Sequence, residues 1–475
     1  MRIFGPANVT LLIVAESKLN QTFETLVNPT LPLDEFWRFP HNQVIGVAWE
    51  QFAQNSRLYE LATIKHALAD ENEDMNMGKI VAAFGTVHAP QLFVRPPSED
   101  LAQLDADVAA MRLLGKDLDE TKPDVVIVMG NDHMETFFLS SVPTFAIMSG
   151  ERARAEFARK TYDLPVHQGL AEDLLDKLVN ADFDMAYSQD AVLGHAFAAV
   201  YEWVIEGRNI PVVPIFVNAY LPPLPTARRC EQLGKAIAKV IAARPERVAV
   251  VASGGMSHFP GTWKYPQPDY QFDYWAIAQM EKGNNEALLS LTSEQLDVVG
   301  NTEMLSWMIM FGMIGDQPGE LITYQPTWLH GHGVMRFLPD KRTGKLSEEG
   351  TKGPATYKFK GSEGYEFYKH PSPSAYKLNK ILYDLRFKPS LRVRLINDIP
   401  SVAAEYGLPL EESKVLETLQ DEDIEKFRNG TVHPLVKAGA HPLGMWMSVI
   451  VFHAELRRLR TAAAKGETEK TSVTQ

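Results

Sequence analysis

Three histidines of this chain follow apolar runs of the kind that form buried strands. His88 comes after Ile-Val-Ala-Ala-Phe-Gly-Thr-Val, His133 after Val-Val-Ile-Val-Met-Gly-Asn-Asp, and His258 after Val-Ala-Val-Val-Ala-Ser-Gly-Gly-Met-Ser. Glu303 opens the apolar helical stretch Glu-Met-Leu-Ser-Trp-Met-Ile-Met. Ligands of open α/β sheets bind beyond the carboxyl ends of the strands. We therefore expect the three histidines to share one rim of a sheet, while Glu303 lies in the first turn of a helix.

Two histidines and one carboxylate on one face of an ion form the facial triad of non-haem Fe(II) oxygenases. This hypothesis assigns His88, His133 and Glu303 as metal ligands. His258, and His195 at a helix start in Leu-Gly-His-Ala-Phe, are then candidate acid–base residues, because imidazole titrates near neutral pH. Asp132 is expected either to orient His133 through a hydrogen bond or simply to form a turn. Each position taken alone also has a structural explanation, so the hypothesis rests on their common placement.

Alternating strand-like and helix-like stretches predict an α/β fold with a mixed sheet flanked by helices. The strands are expected to be covered on both faces, because their apolar residues are consecutive rather than alternating. The expected strands are 79–85, 124–130, 143–148, 212–218 and 247–253, with a late hairpin at 321–329 and 333–338. The expected helices between them are 99–120, 169–181, 194–206 and 225–243.

Composition shifts divide the rest of the chain. Residues 1–76 are predicted to be an N-terminal extension and residues 77–340 the catalytic domain. A stretch rich in Lys, Gly, Ser, Thr and Pro at 341–372 indicates a linker. Residues 373–460 have the pattern of a small all-α domain, and 461–475 that of a disordered tail.

The bulk composition excludes some classes of function. With 47 basic and 60 acidic residues the formal charge is −13, which argues against nucleic-acid binding and binding to anionic membranes. The single cysteine, Cys230, lacks a nucleophile motif and fits a reducing compartment. No apolar run approaches the roughly 20 residues of a membrane span. We therefore expect a cytoplasmic protein.

Six motifs occur in the order found in one enzyme family. They are Gly-Thr-Val-His-Ala-Pro, Gly-Asn-Asp-His-Met-Glu-Thr-Phe-Phe, Leu-Gly-His, Pro-Ile-Phe-Val-Asn-Ala-Tyr-Leu-Pro-Pro, Ser-Gly-Gly-Met-Ser-His and Thr-Glu-Met-Leu-Ser-Trp. About residues 78–338 thus resemble the catalytic β subunit of protocatechuate 4,5-dioxygenase, a class III extradiol ring-cleavage dioxygenase. The resemblance implies Fe(II) at His88, His133 and Glu303, proton transfer by His258, and His195 as a second catalytic histidine.

The C-terminal segment resembles the small α subunit of that enzyme. The matching stretches are Tyr-Lys-Leu-Asn-Lys-Ile-Leu-Tyr-Asp-Leu-Arg from Tyr376, Tyr-Gly-Leu from Tyr406, Gly-Thr-Val-His-Pro-Leu at 430–435 and Gly-Ala-His-Pro-Leu-Gly at 439–444. Catalytic and helical parts in one chain, in this order, are similar to gallate and 3-O-methylgallate dioxygenases. The resemblance implies that the helical part acts as a lid that excludes water.

The implied substrates are O₂ and a small aromatic diol, such as a gallate-, 3-O-methylgallate- or protocatechuate-like acid. The family contacts the substrate carboxylate through small hydroxyl residues of the late hairpin, where this chain has Trp328. Asn131, Thr327, Trp328 and His330 are the candidate substrate contacts. Two explanations of the departure at Trp328 are open. Either Thr327 or His330 takes over the polar contact, or the substrate is bulkier or lacks that carboxylate, for instance a dihydroxypyridine or a substituted catechol.

Two other classes of function compete with a dioxygenase. A zinc hydrolase could use the same three ligands, because zinc sites also keep one open position. A scaffold that has kept only the fold would be expected to lose at least one ligand residue. The apolar stretch Met445–Phe452 and the family resemblance also predict a homodimer or larger homo-oligomer.

Overall fold

The structure is a computed structural model that describes residues 78–338, 344–361, 364–421 and 431–464. The predicted N-terminal extension, 1–76, lies outside the described residues, as do residues 465–475 of the predicted tail. The four residues before 465 are helical.

The catalytic region is built on a mixed sheet, as the sequence predicted. Its eight strands are β1 (Lys79–Thr86), β2 (Val125–Asn131), β3 (Phe145–Met148), β6 (Met185–Ser188), β8 (Val212–Val217), β9 (Arg247–Ser253), β10 (Glu320–Pro326) and β11 (Gly331–Phe337). Strand β6 was not predicted. The strand order is β10-β11-β1-β9-β2-β8-β3-β6. All residues of β2, β3 and β8 are buried, which explains why their sequences are continuously apolar.

Four neighbouring strands of this sheet run in the same direction. β1 pairs with β9, β9 with β2, and β2 with β8, each in parallel. Strand β11 runs antiparallel to β1, so the beginning of β11 lies at the edge where β1 ends. The carboxyl ends of four strands and the first residues of β11 therefore share one rim.

A second sheet of three short strands was not predicted from the sequence. It has the order β5-β4-β7. Its strands are β4 (Arg152–Phe157), β5 (Lys160–Pro165) and β7 (Val192–Leu193). Residues of β4 alternate between exposed and buried, and no residue of β5 is buried, so no apolar run marks this sheet.

Helices cover both faces of the main sheet. The four predicted helices are present, the third continuing as a π-helical turn at Tyr201–Ile205. The α-helices at 78–338 and 344–352 are α1 (Gln91–Val94), α2 (Leu101–Thr121), α3 (Gln168–Val179), α4 (His195–Val200), α5 (Ala227–Ala242), α6 (Tyr270–Lys282), α7 (Asn285–Leu289), α8 (Ser293–Val299), α9 (Leu305–Ile314) and α10 (Glu348–Lys352).

Helix α9 is fixed to the sheet by a close approach at Gly85. A Cβ at Gly85 would lie 2.2 Å from the ring of Trp307, so only glycine lets the indole rest on β1. The indole N–H of Trp307 donates to the carbonyl of Gly254 at 3.2 Å. The 3₁₀ turn Thr302–Met304, which carries Glu303, leads directly into this anchored helix.

The C-terminal segment is helical, as predicted, with its own apolar core. The α-helices of its described residues are α11 (Tyr376–Phe387), α12 (Pro389–Asn397), α13 (Ile399–Glu405), α14 (Leu410–Ser413), α15 (Pro434–Lys437) and α16 (Pro442–Ala464). Met445, Val449 and Phe452 are buried in that core. These three residues of the apolar stretch thus pack inside the helical segment, whereas Ile450 is exposed, and the homo-oligomer stays a prediction.

The segment predicted as a linker packs against the catalytic region where it is described. Backbone N–H groups of Glu366, Phe367 and Tyr368 donate to the carboxylate of Asp297. Phe367 and Tyr368 form one buried cluster with Tyr220, Phe259 and Leu443 among its members. This cluster joins the catalytic and helical parts beside the strand ends. Among the described helices, none is both long and apolar enough to cross a membrane.

Candidate metal centre

Four adjacent parallel strands each deliver one polar side chain to the same rim. His88 lies two residues beyond β1, His133 two beyond β2, Tyr220 three beyond β8, and His258 five beyond β9. All four are buried. The predicted convergence of His88, His133 and His258 is therefore present, and Tyr220 joins them.

The carboxylate of Glu303 lies at the centre of this group. Its Oε2 is 3.1 Å from Nε2 of His88 and its Oε1 is 2.7 Å from Nε2 of His133. The Tyr220 hydroxyl donates to Oε1 at 2.7 Å, and the backbone N–H of Gly255 donates to Oε2. Each oxygen thus faces one imidazole nitrogen of a predicted metal ligand.

The electrostatics of this group favour binding of a cation. Burial lowers the pKa of both His88 and His133, so both rings are neutral at pH 7. Burial alone would raise the pKa of Glu303, but the surrounding imidazoles and hydrogen-bond donors hold it well below its usual value. A fully buried carboxylate beside neutral imidazoles has an uncompensated charge, which a divalent metal ion would neutralise.

The tautomer of His88 is fixed by a hydrogen-bond chain. The hydroxyl of Ser253 donates to the carbonyl of Ala196 at 2.6 Å, so its oxygen must accept from Nδ1–H of His88 at 3.0 Å. The proton on Nδ1 leaves the lone pair on Nε2. That nitrogen is buried without a hydrogen-bond partner, as a metal-ligating nitrogen should be before the ion binds.

His195 lies in the same group, at the start of α4. Its ring centroid is 4.1 Å from that of His133 and 5.3 Å from that of His88. One ligand atom of each of these three histidines lies within 4.8 Å of the other two, so they form an alternative set of metal ligands. Nδ1 of His195 donates to Glu135 at 2.8 Å, and Nε2 is buried without a partner.

His258 is held on three sides. Its Nδ1 donates to the carbonyl of Met256 at 2.8 Å, and its ring stacks on His330 with 3.8 Å between centroids. Its Nε2 lies 3.0 Å from the Tyr220 hydroxyl and 3.5 Å from Oε1 of Glu303. With the proton on Nδ1, Nε2 faces the centre as a lone pair that can accept a proton.

Two predicted site residues have roles in the backbone framework. The carboxylate of Asp132 accepts from the backbone N–H groups of Glu135, Thr136 and Phe137. Neither ring nitrogen of His133 bonds to it, so the structure gives Asp132 the turn-forming role. The amide of Asn131, oriented to suit its neighbours, donates to the carbonyls of Ser253 and Glu303 at 3.0 and 3.2 Å.

The three candidate substrate contacts of the late hairpin differ in their burial and in their distance from the centre. The Thr327 hydroxyl donates to the carbonyl of His330 at 2.8 Å, so that proton is used within the turn. Trp328 is 38% exposed. Only His330 reaches the centre, through its stack on His258.

Three residues of the centre were not predicted. Tyr220 follows β8 in the same way as the histidines follow their strands, and it lies within the motif Pro-Ile-Phe-Val-Asn-Ala-Tyr. Its position after an apolar run was therefore an available signal. Ser253 and Glu135 act through His88 and His195, and nothing in their local sequence indicates those partners.

A buried carboxylate outside the centre holds the loop that carries His258. Asp273 of α6 accepts from the backbone N–H of Ser257 at 3.0 Å, the Asn301 amide at 3.0 Å and the Tyr324 hydroxyl at 2.7 Å. Burial raises the pKa of Asp273 to about 7 in spite of these donors. The carboxyl therefore links the His258 loop, the turn before Glu303 and strand β10.

We expect Asp273 to make the stability of the protein fall as pH rises. Its folded pKa, about 7, exceeds the value of about 3.9 in an unfolded chain, so the folded state binds the extra proton between these values. The free energy of unfolding should fall by about 2 kcal/mol from pH 5 to pH 7 relative to Asp273→Asn. Urea unfolding at both pH values measures this difference. Asp105→Asn, at an exposed carboxylate, is the control; parallel pH curves for wild type and Asp273→Asn would refute the assignment.

The sequence was also compared with known proteins. Residues 82–333, just over half of the chain, match the family described as the catalytic LigB subunit of aromatic ring-opening dioxygenase. The chain belongs to this family. The match confirms the resemblance of residues 78–338 to a class III extradiol catalytic subunit. The likeness of the C-terminal segment to a small subunit stays a prediction, since the match to the LigB family ends before it.

Several curated relatives are named 2,3-dihydroxyphenylpropionate/2,3-dihydroxicinnamic acid 1,2-dioxygenase. That of Klebsiella pneumoniae is 33% identical over 175 residues, covering 36% of this chain and 55% of the relative. That of Burkholderia vietnamiensis is 37% identical over 145 residues, covering 30% and 45%. That of Comamonas testosteroni is 31% identical over 192 residues, covering 40% and 59%. The chain thus spans about half the length of these relatives.

One solved structure, of an uncharacterized protein from Escherichia coli K12, also resembles the chain. It has a TM-score of 0.38 and 14% identity, and the alignment covers 54% of this chain and 99% of that one.

Proposed function

We propose that this protein is an Fe(II)-dependent extradiol dioxygenase that opens the ring of a catechol-type diol with O₂. The observation that carries the proposal is the contact of both oxygens of the buried Glu303 carboxylate with Nε2 of His88 and of His133. Family membership and the names of the curated relatives support the same reaction class.

The donor set fits the implied metal. Two neutral imidazoles and one carboxylate are the ligands of non-haem Fe(II) oxygenases, and the buried negative charge of Glu303 calls for a cation. We propose His88, His133 and Glu303 as the ligands. Bound Fe(II) would hold the diol and O₂ and mediate electron transfer between them.

The residues of the chain would supply the proton chemistry. Nε2 of His258 carries the lone pair, because Nδ1 donates to Met256 at 2.8 Å, and can remove a proton from a substrate hydroxyl. The Tyr220 hydroxyl lies between His258 and Glu303 and has one proton for two acceptors, at 3.0 and 2.7 Å. It can therefore relay a proton along this side of the centre. We propose His195 as the second proton-handling residue, oriented by Glu135.

The late hairpin bears on the choice of substrate. The only hydroxyl at 326–330 belongs to Thr327, and it donates to the carbonyl of His330. A substrate carboxylate would have to displace this bond to be held there. Within the proposal, this favours a diol that has no acid group, or whose acid group binds elsewhere. It disfavours a protocatechuate-like acid whose carboxylate is held by the hairpin as in the family.

Oxygen uptake by the anaerobically Fe(II)-loaded protein tests the proposal. The panel is gallate, 3-O-methylgallate, protocatechuate, catechol, a dihydroxypyridine and 2,3-dihydroxyphenylpropionate. We expect uptake matched mole for mole by a ring-opened chromophore with at least one compound. Activity of the zinc-loaded protein without oxygen would instead favour the hydrolase, and a protein that binds no metal would contradict both enzyme hypotheses.

A further inference from the structure

One arginine of the helical segment reaches the centre of the catalytic region. Arg386, near the end of α11, has a side chain that is only 5% exposed. Its Nη1 donates to the carbonyl of His133 at 3.2 Å and to that of Met134 at 2.9 Å. Its Nη2 lies 3.9 Å from Oε1 of Glu135. A single guanidinium from the helical part thus contacts three consecutive residues, the first of them a proposed metal ligand.

The loop that Arg386 contacts has an unfavourable backbone conformation. Met134 has a φ of 53°, in the left-handed region that non-glycine residues rarely adopt. Such a conformation is unfavourable and persists only where its surroundings hold it. Asp132 holds the loop from inside by accepting three backbone N–H groups, and Arg386 holds it from outside by donating to two carbonyls.

Arg386 also faces the carboxylate that orients His195. Oε2 of Glu135 accepts from the backbone N–H of His195 at 3.0 Å and from its Nδ1 at 2.8 Å. Because both charges are buried, removal of either one would leave the other without a compensating charge.

We propose that Arg386 is a positioning residue through which the helical segment shapes the metal centre. It fixes the Asp132–Phe137 loop, and with it His133, and it holds the Glu135 carboxylate that orients His195. This inference rests on the proposed function for the metal, for His133 as one of its ligands and for the role of His195. On this proposal the helical segment completes the catalytic region as well as covering it.

Hydrogen exchange of the metal-free full chain tests the positioning directly. In Arg386→Met, the amides of residues 133–137 should exchange roughly 10- to 100-fold faster, which corresponds to the loss of hydrogen bonds from a charged donor. Arg386→Lys keeps the charge without the forked donor, so its exchange should lie between those of wild type and Arg386→Met. Arg394→Ala, at an exposed arginine paired with Glu405 on the next helix, is the matched control and should leave these amides at the wild-type rate.

A metal titration gives the second readout. Co(II) binding, followed by visible absorption, should weaken by roughly 10- to 100-fold in Arg386→Met and be partly restored in Arg386→Lys. Unchanged exchange at 133–137 in folded Arg386→Lys and Arg386→Met would overturn the proposal. So would equal acceleration in Arg394→Ala. If wild type binds no metal, the proposed function fails, while the exchange result still decides the role of Arg386.

Discussion

Glu303→Gln is expected to abolish metal binding and, with it, ring-cleaving activity. Glutamine keeps the shape of the side chain, but it removes the only negative charge between Nε2 of His88 and Nε2 of His133. The amide also presents an N–H group where both oxygens of the carboxylate now face imidazole nitrogens. The affinity for Fe(II) should fall by more than the roughly 10- to 100-fold that the loss of an outer-shell partner costs.

The measurement is the metal-dependent rise in thermal stability, which needs no turnover. Wild type should gain about 2.7 kcal/mol when the free metal concentration is 100 times its Kd. Glu303→Gln should gain nothing under the same conditions. His195→Ala is the matched variant, because His88, His133 and His195 form the alternative ligand set. A stability gain kept in Glu303→Gln and lost in His195→Ala would assign the ion to the three histidines instead.

The main sheet and its rim could be predicted because buried parallel strands leave a local signal. Strands β1, β2 and β9 are continuous apolar runs, and His88, His133 and His258 follow within a few residues of each. Neighbouring parallel strands end at the same edge of a sheet, so residues that directly follow these strands in the sequence lie close together in the structure. The small sheet of β4, β5 and β7 could not be predicted in the same way, because its strands lack a continuous apolar run. Residues of β4 alternate between exposed and buried, and no residue of β5 is buried.

The partners of the predicted residues depend on contacts that are distant in sequence. Glu135 meets His195 across 60 residues, Ser253 meets His88 across 165, and Arg386 meets His133 across 253. No periodicity or spacing in one sequence encodes such a pair. Local reasoning therefore found the groups that face the centre, except Tyr220, and missed those that orient them.

Asp132 has a different hydrogen-bond partner from the one that its position in the sequence suggested. Its place next to His133 suggested a bond between the two side chains, yet adjacent residues at the end of a strand point in different directions. The carboxylate instead accepts from three backbone N–H groups ahead of it, as aspartate commonly does in turns. Its contribution to the centre therefore comes through the loop backbone, which Arg386 contacts from the other side.

His258→Ala is expected to keep the metal and to lower turnover by about 10²- to 10⁴-fold, the usual contribution of a general acid–base residue. Its Nε2 is 3.5 Å from Glu303 and 3.0 Å from the Tyr220 hydroxyl, so it lies beside the proposed ligands and close to where a substrate hydroxyl would lose its proton. The loss should be in kcat, because proton removal belongs to the chemical step, and the metal-dependent stability gain should remain.

His453→Ala serves as the control for removing a buried histidine. His453 lies in the helical segment, where its Nε2 bonds to the carbonyl of Leu419 at 2.8 Å, so its loss should lower stability without a comparable loss of turnover. Tyr220→Phe separates the two groups of the proton path. If Tyr220→Phe loses turnover while His258→Ala retains wild-type kcat, the proton acceptor is the tyrosine. If His258→Ala loses the metal, His258 also holds the ion, and the assignment of the ligands to His88, His133 and Glu303 alone is wrong.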